Sequence, residues 1–198
     1  RPVWWFEDVQ NNSTVYDDVL KDFGKPKLWE SMNGWFNYQN FYTDMVGKFN
    51  NAIFIEIGCW EGKSTVFMAD KIKMSGRNIK FYAVDVWEDY TQYDVIWKAN
   101  YDQYLKNIES VKDYITTIKA DSCEVSKQFE DQSIDFVFID GNHQYEFVKK
   151  DIESWYPKVK IGGIISGHDY GNFEGVNKAV NENFNAKIIN NCWMYVKC

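Results

Sequence analysis

Phe54-Ile55-Glu56-Ile57-Gly58-Cys59-Trp60-Glu61-Gly62-Lys63-Ser64-Thr65 is the stretch that decides the fold: an apolar run closes on an acid and two glycines, and a helical pattern follows. Ile53, Ile55 and Ile57 alternate around Phe54, which predicts a buried strand. Gly58 and Gly62 then permit a tight turn and a close approach of backbone to a ligand. Ser64, Val66, Phe67 and the run from Ala69 to Ile72 predict the next helix, whose first N–H groups are open to a polar ligand. A dinucleotide-binding turn reads G-x-G-x-x-G, with a pyrophosphate on the helix end. The spacing here is E-x-G-x-x-x-G, which favours a smaller ligand with an amino-acid part. The competing reading is a plain strand-to-helix turn.

Outward from this unit, strands and helices alternate from residue 51 onward, the pattern of a layered α/β domain with a parallel sheet. Ile79 to Val86 reads as a second strand, Tyr93 to Ile108 as a helix and Tyr114 to Lys119 as a third strand. Asp121-Ser122 then forms a turn able to cap a short helix. Ile134 to Asp140 reads as the fourth strand. Tyr145, Val148, Ile152 and Trp155 mark a helix stopped by Pro157, and Gly162 to Gly167 carries a fifth strand ending at His168-Asp169. A helix over Gly175 to Phe184 and a hairpin of Lys187–Ile189 with Trp193–Lys197, turning at Asn190-Asn191, close the chain. Residues 1–50 differ: Trp4, Trp5, Phe6, Trp29, Trp35, Phe36, Tyr38, Phe41 and Tyr42 crowd into an aromatic cap. Within it Tyr38, Phe41, Tyr42, Met45, Val46 and Phe49 recur at helical spacing. The cap either covers the sheet edge or also walls a substrate pocket. The division is thus a helical cap over 1–50 and a ligand-binding unit over 51–198, in one structural domain.

At 198 residues one core suffices, burying roughly 70 % of the unfolded surface. A net charge of −7 argues against neutralising a nucleic-acid backbone or an anionic membrane, and so favours a small-molecule partner. Apolar runs are too short for a membrane span or signal peptide, and the expectation is a soluble cytoplasmic protein. Cys59, Cys123, Cys192 and Cys198 form no C-x-x-C pair. Cys192 and Cys198 share one predicted strand, where six residues span about 20 Å, beyond a disulfide's reach. Oligomeric state is not legible.

Ligands of an open parallel sheet bind outside the carboxyl ends of its strands. Glu56, Asp85, Asp140 and His168-Asp169 each follow an apolar strand, so they converge on one edge. Asp85, 29 residues after Glu56, can accept bonds from both hydroxyls of a ribose, or serve as a turn former. Trp87 stacks on a base or belongs to the core; both readings stand.

The acid and wide glycine pair at the first strand's end resemble the first motif of the class I S-adenosylmethionine-dependent methyltransferases. From about Gly34 to Tyr170 the chain is similar to their small-molecule O-methyltransferases of the family 24 type, which carry a catechol-type metal site. The resemblance implies a Rossmann-like three-layer sandwich with a mostly parallel seven-stranded sheet and a C-terminal antiparallel hairpin. It further implies S-adenosylmethionine held by Glu56, Gly58, Cys59, Trp60, Gly62, Ser64, Asp85, Val86, Trp87, Asp121, Ser122 and Asp140, with Asp121 taking a bond from the adenine amino group. In that group an Asp ends the fourth strand, an acid and an amide end the fifth, and a divalent cation lies between them. Asp140 matches the first position, and His168 and Asp169 fall on the others. A His there moves the preference from Mg²⁺ towards Mn²⁺, Fe²⁺ or Zn²⁺; the alternative is no metal, with His168 and Asp169 orienting the acceptor. His143 occupies the position of a lysine base and is the candidate base, with Asp140 as its catalytic companion; a capping or surface His is the competing reading. The implied reaction is methyl transfer to a small acceptor, most simply at a hydroxyl oxygen. A nicotinamide-dependent oxidoreductase, disfavoured by the missing third glycine, and a non-catalytic nucleoside-binding module are the rivals.

Overall fold

The fold is seen in a computed structural model that describes residues 28–92 and 95–198. Ala52–Ile57 (β1) forms where expected and pairs in parallel with Ile79–Asp85 (β2) on one side and Ile134–Ile139 (β6) on the other. Thr116–Lys119 (β5) adds to β2, and Val159–Gly167 (β7) adds to β6, also in parallel. Cys192–Val196 (β9) runs antiparallel to β7, and Lys187–Ile189 (β8) pairs with β9. The seven strands therefore lie in the order β5-β2-β1-β6-β7-β9-β8, and the order reverses between β1 and β6. That reversal opens a crevice at the strands' carboxyl ends.

Both faces of the sheet are covered, which is why β1 reads as continuously apolar. Phe54 lies in register with Phe81 of β2 and Phe136 of β6, and all three join one core layer with Gln39–Lys48 (α1), Lys63–Ser75 (α2) and Tyr101–Ile108 (α3). Ile55 and Ile57 point the other way, into a second layer with Ser122–Ser126 (α4), Tyr145–Trp155 (α5) and Glu174–Asn183 (α6). The period-two side-chain alternation of a strand thus feeds two cores at once. In α1, Phe41, Tyr42, Met45 and Val46 are buried against the first layer, so the described part of the cap is continuous with the domain core. Trp4, Trp5, Phe6 and the rest of residues 1–27 lie outside the described residues.

The helix expected over Tyr93–Ile108 is corrected. Tyr90–Gln92 (β3) and Val95–Trp97 (β4) pair as a separate antiparallel ribbon, and the helix begins only at Tyr101. Asn100 caps it, its side chain accepting from the Gln103 amide at 3.2 Å. The run Val95-Ile96-Trp97 is β-branched and aromatic, and this preference wins over the apolar spacing that joined it to the helix. The third strand starts at Thr116, after a 3₁₀ turn at Lys112–Tyr114, and the fifth starts earlier, at Val159. All four cysteines are free. Among the described residues, no helix is long and apolar enough to cross a membrane.

Candidate active site

The glycine turn is built by backbone. Gly58 has φ +85°, a left-handed conformation that L side chains rarely adopt, and donates to the Val84 carbonyl at 3.0 Å. A Cβ added there would stand 2.2 Å from the Asp140 carbonyl oxygen, so the glycine is demanded first by the close approach of the β1 and β6 ends. Asp85 Oδ2 accepts from the amides of Cys59 (2.8 Å) and Trp60 (2.9 Å), and Oδ1 accepts from the amide of Trp87 (2.9 Å). A carboxylate offers about four acceptor positions, so this turn-forming role leaves capacity for a further donor. Gly62 caps α2 in the left-handed region. Glu61, buried, accepts from Asn33 Nδ2 (3.3 Å) and Asn100 Nδ2 (3.0 Å), tying the turn to the cap loop and to the start of α3.

Across the crevice the site is built by side chains. Asp140 follows β6, and its Oδ2 accepts from the Tyr38 hydroxyl at 2.8 Å. Asp169, past the end of β7, lies with Oδ2 2.9 Å from His143 Nε2 and 3.4 Å from His168 Nδ1, while its Oδ1 accepts from Asn172 Nδ2 at 2.9 Å. His168 Nδ1 is 3.8 Å from Asp140 Oδ1, and its Nε2 is 2.9 Å from Asn37 Oδ1. The His143 ring stacks on Phe173, with centroids 4.3 Å apart. Burial works to raise the Asp169 pKa, but the bonds to His143, His168 and Asn172 prevail and hold it far below the carboxylate range. Burial also opposes charge on His168, yet the bond to Asp169 and the charges of Asp140 and Asp169 outweigh it and raise its pKa. Asp140 is pushed up chiefly by burial. The cluster therefore holds one firm anion and an imidazole biased towards the charged form.

Both sides open on one cavity of about 740 Å³, within the roughly 300–1,000 Å³ typical of small-molecule pockets. Of the residues expected at the site, Gly58, Cys59, Trp60, Ser64, Asp85, Val86, Trp87, Asp121, Ser122, Asp140, His143, His168 and Asp169 border it. Glu56 does not. It is 1 % exposed beneath the turn, where its carboxylate accepts from Tyr42 (2.9 Å) and Thr65 (2.5 Å), and burial raises its pKa to about 7. Gly62 is likewise outside the lining. Trp87 is core: it is buried, packs on Tyr101 and Tyr104, and donates from Nε1 to the Trp60 carbonyl at 2.7 Å, while still bordering the cavity. Asp121 caps α4 by accepting from the Glu124 amide at 3.1 Å. Among the described residues, the acids and histidine whose ligand atoms all lie within 4.8 Å of one another are Asp140, His143 and Asp169, a set that holds His143 where the sequence suggested His168, and His168 lies directly beside it. The cap, expected to cover the sheet edge or also to wall a pocket, supplies Asn37 and the Tyr38 bond to Asp140, contacts that sequence reasoning missed, as it missed Asp151 on α5. For Asp151 the available signal was an acid on the apolar face of a helix, one residue before Ile152.

The sequence profile of a family described as a methyltransferase domain matches residues 55–170, more than half of the chain. The chain belongs to that family. An uncharacterized protein, y4gI, of Sinorhizobium fredii is 21 % identical over 145 residues; the match takes in 73 % of this chain but only 16 % of that relative's length. Among solved structures, the O-methyltransferase NovP superposes with TM-score 0.59 and 16 % identity, over 81 % of this chain and 78 % of NovP. A candidate rRNA methylase from Clostridium thermocellum gives 0.56 and 16 % over 82 % of this chain and 97 % of its own. MycE of the mycinamycin biosynthetic pathway, solved with Mg, S-adenosylhomocysteine and mycinamycin VI, gives 0.53 and 15 % over 88 % of this chain and 54 % of its own. At these identities the superpositions establish the Rossmann-like methyltransferase fold, with its seven-stranded sheet and reversed final hairpin. S-adenosylmethionine is the cofactor of this methyltransferase family, and the oxidoreductase alternative falls with the family assignment.

Proposed function

We propose that the chain transfers the methyl group of S-adenosylmethionine to a hydroxyl oxygen of a small acceptor. The reading is carried by the continuity of one cavity, which joins the glycine turn and Asp85 to Asp140, His143 and Asp169. In this transfer the acceptor oxygen forms a bond to the methyl carbon as the carbon–sulfur bond breaks, and the acceptor proton goes to the protein. Most of the protein's task is holding two molecules in line. The turn and Asp85 hold the cofactor's amino-acid and ribose parts. Asp169 lies 2.9 Å from Nε2 of His143 and fixes the ring, and His143 takes the acceptor's proton. Trp35 and Tyr38 of the cap border the same cavity, which supports an acceptor wall made by the cap. The charge of −7 favours a small acceptor over RNA.

Asp140, His143 and Asp169 also suit a divalent cation, and MycE was solved with Mg. Such an ion lowers the pKa of an acceptor hydroxyl. The two uses of His143 compete, and chelation separates them. Turnover abolished by exhaustive chelation and restored by Mn²⁺ assigns these residues to metal; turnover that survives chelation but is lost in His143→Ala assigns the histidine as base. The activity itself is tested by release of S-adenosylhomocysteine with a panel of small hydroxyl compounds and with RNA. Product on the former alone supports the reading, label on RNA replaces the acceptor class, and binding without turnover on any acceptor leaves a nucleoside-binding module.

A further inference from the structure

Asp151 takes no part in the chemistry described above, yet it is a carboxylate only 7 % exposed that borders the cavity. It projects from α5, 29 residues along the chain from Ser122, and its Oδ1 accepts a short hydrogen bond from the Ser122 hydroxyl. Cys123 Sγ lies 3.8 Å from the same oxygen. The place of these residues follows from sheet order. The turn after β1 and the acid after β2 are neighbours, and β5 is the next strand outward, so a nucleoside whose ribose meets Asp85 carries its base towards the end of β5, where Ala120, Asp121 and Ser122 border the cavity.

A serine hydroxyl is ordinarily ambivalent, with one donor and two acceptor positions. Here the donor is committed. The Ser122 hydroxyl donates to Asp151 Oδ1, and burial raises the Asp151 pKa to about 6, partly offset by that bond. With its proton given to Asp151, Ser122 presents lone pairs alone to the cavity. Asp121, beside it, is a second acceptor, and its charge adds to the burial of Asp151 in raising that pKa. Lys150 is the cation bordering this end, and it is exposed.

We propose that Asp151 is a positioning residue for base recognition: by fixing Ser122 as an acceptor it selects a purine whose edge donates an amino hydrogen, adenine, against one that offers a carbonyl in its place. This rests on the methyl-donor reading above. A site built to bond one polar group rejects the analogue that lacks it, because a buried acceptor is left facing another acceptor.

The test is direct binding of S-adenosylhomocysteine and of its deaminated analogue S-inosylhomocysteine, which differ only at that edge. The wild-type protein should prefer the adenine compound by at least about tenfold. Ser122→Ala and Asp151→Asn should each lower the preference several-fold, the second because the hydroxyl is freed to turn and donate to the carbonyl. A loss of packing alone would weaken both ligands equally and leave the ratio unmoved. Equal binding of the two compounds by the wild-type protein, or an unchanged ratio in Ser122→Ala, overturns the inference, and the serine variant carries the test even where Asp151→Asn fails to fold. Binding of neither compound by the wild-type protein is a failure of the methyl-donor reading instead.

Discussion

The two sides of the cavity are made of different materials. On the side of β1 and β2, amides and one carboxylate within thirty residues of each other form the turn, and its shape follows from glycine geometry. On the side of β6 and β7, side chains separated by up to 131 residues meet, and two of them, Asn37 and Tyr38, come from the cap. A backbone-built site tolerates little at its glycines and much at its side chains, whereas a side-chain-built site fails by degrees. The variants below set the two sides against each other in order of expected effect.

Gly58→Ala should be the most damaging single change. The added methyl would meet the Asp140 carbonyl oxygen at 2.2 Å and the Gly141 Cα at 2.6 Å, at a φ of +85° that alanine rarely adopts. Strain with a forced separation of two strand ends places the loss above about 3 kcal/mol. Thermal melting and S-adenosylhomocysteine binding should both collapse; normal values for both would show that the two sides of the cavity are not held in contact through this glycine.

Beneath the turn, Glu56 makes the same side sensitive to pH. The unfolded chain releases this proton near 4.5 and the folded chain near 7, with burial the largest cause. Between those values the native state binds more protons, so stability falls as pH rises, and the loss is complete above 7. Taken over the whole shift, that is about 3 kcal/mol. Glu56→Gln imitates the protonated group and should remove this component, so denaturant midpoints at pH 5 and pH 8 should differ less in the variant than in the wild-type protein. Parallel behaviour of the two proteins would mean that the hydroxyls of Tyr42 and Thr65 keep the carboxylate ionised.

The contrast also explains what could be read from sequence. The strand, the two glycines and the acids at four strand ends are local patterns, and the structure gathers Asp85, Asp140, His168 and Asp169 on one cavity. Glu56 follows the same pattern yet turns inward, because alternation sends its side chain to the face covered by Tyr42 and Thr65. That both histidines would meet Asp169, and that Asn37 would hold the other ring nitrogen of His168 across 131 residues, was illegible, because these are contacts between distant parts of the chain. The β3–β4 ribbon was read as part of a helix over Tyr93–Ile108, although the Asn100 cap marks the true start.

On the cluster side, Tyr38→Phe removes one hydroxyl and keeps the ring against His168 and Phe138. Asp140 then loses a hydrogen bond to its half-buried carboxylate, a cost of about 1–2 kcal/mol in stability. Turnover should fall more than cofactor affinity, because the bond orients an acid at the reacting end. Equal losses in both would place Tyr38 among purely structural residues and weaken the division between the two sides.

Trp35→Ala is expected to do least to the fold and is the sharpest test of the cap. The ring is 79 % exposed and stacks on Trp60 of the glycine turn, with centroids 6.5 Å apart, so it touches the backbone-built side from the cap. Removing a side chain so exposed should change stability by less than about 0.5 kcal/mol. Its exposure on the border of the cavity makes sense as a surface that an acceptor covers, since aromatic walls are what small-molecule pockets commonly provide. The expected result is a raised KM for the acceptor with an unchanged melting temperature and S-adenosylhomocysteine affinity. Should cofactor affinity fall instead, Trp35 acts through Trp60, the cap belongs to the cofactor side, and the boundary between the two halves of the site moves to the far side of Tyr38.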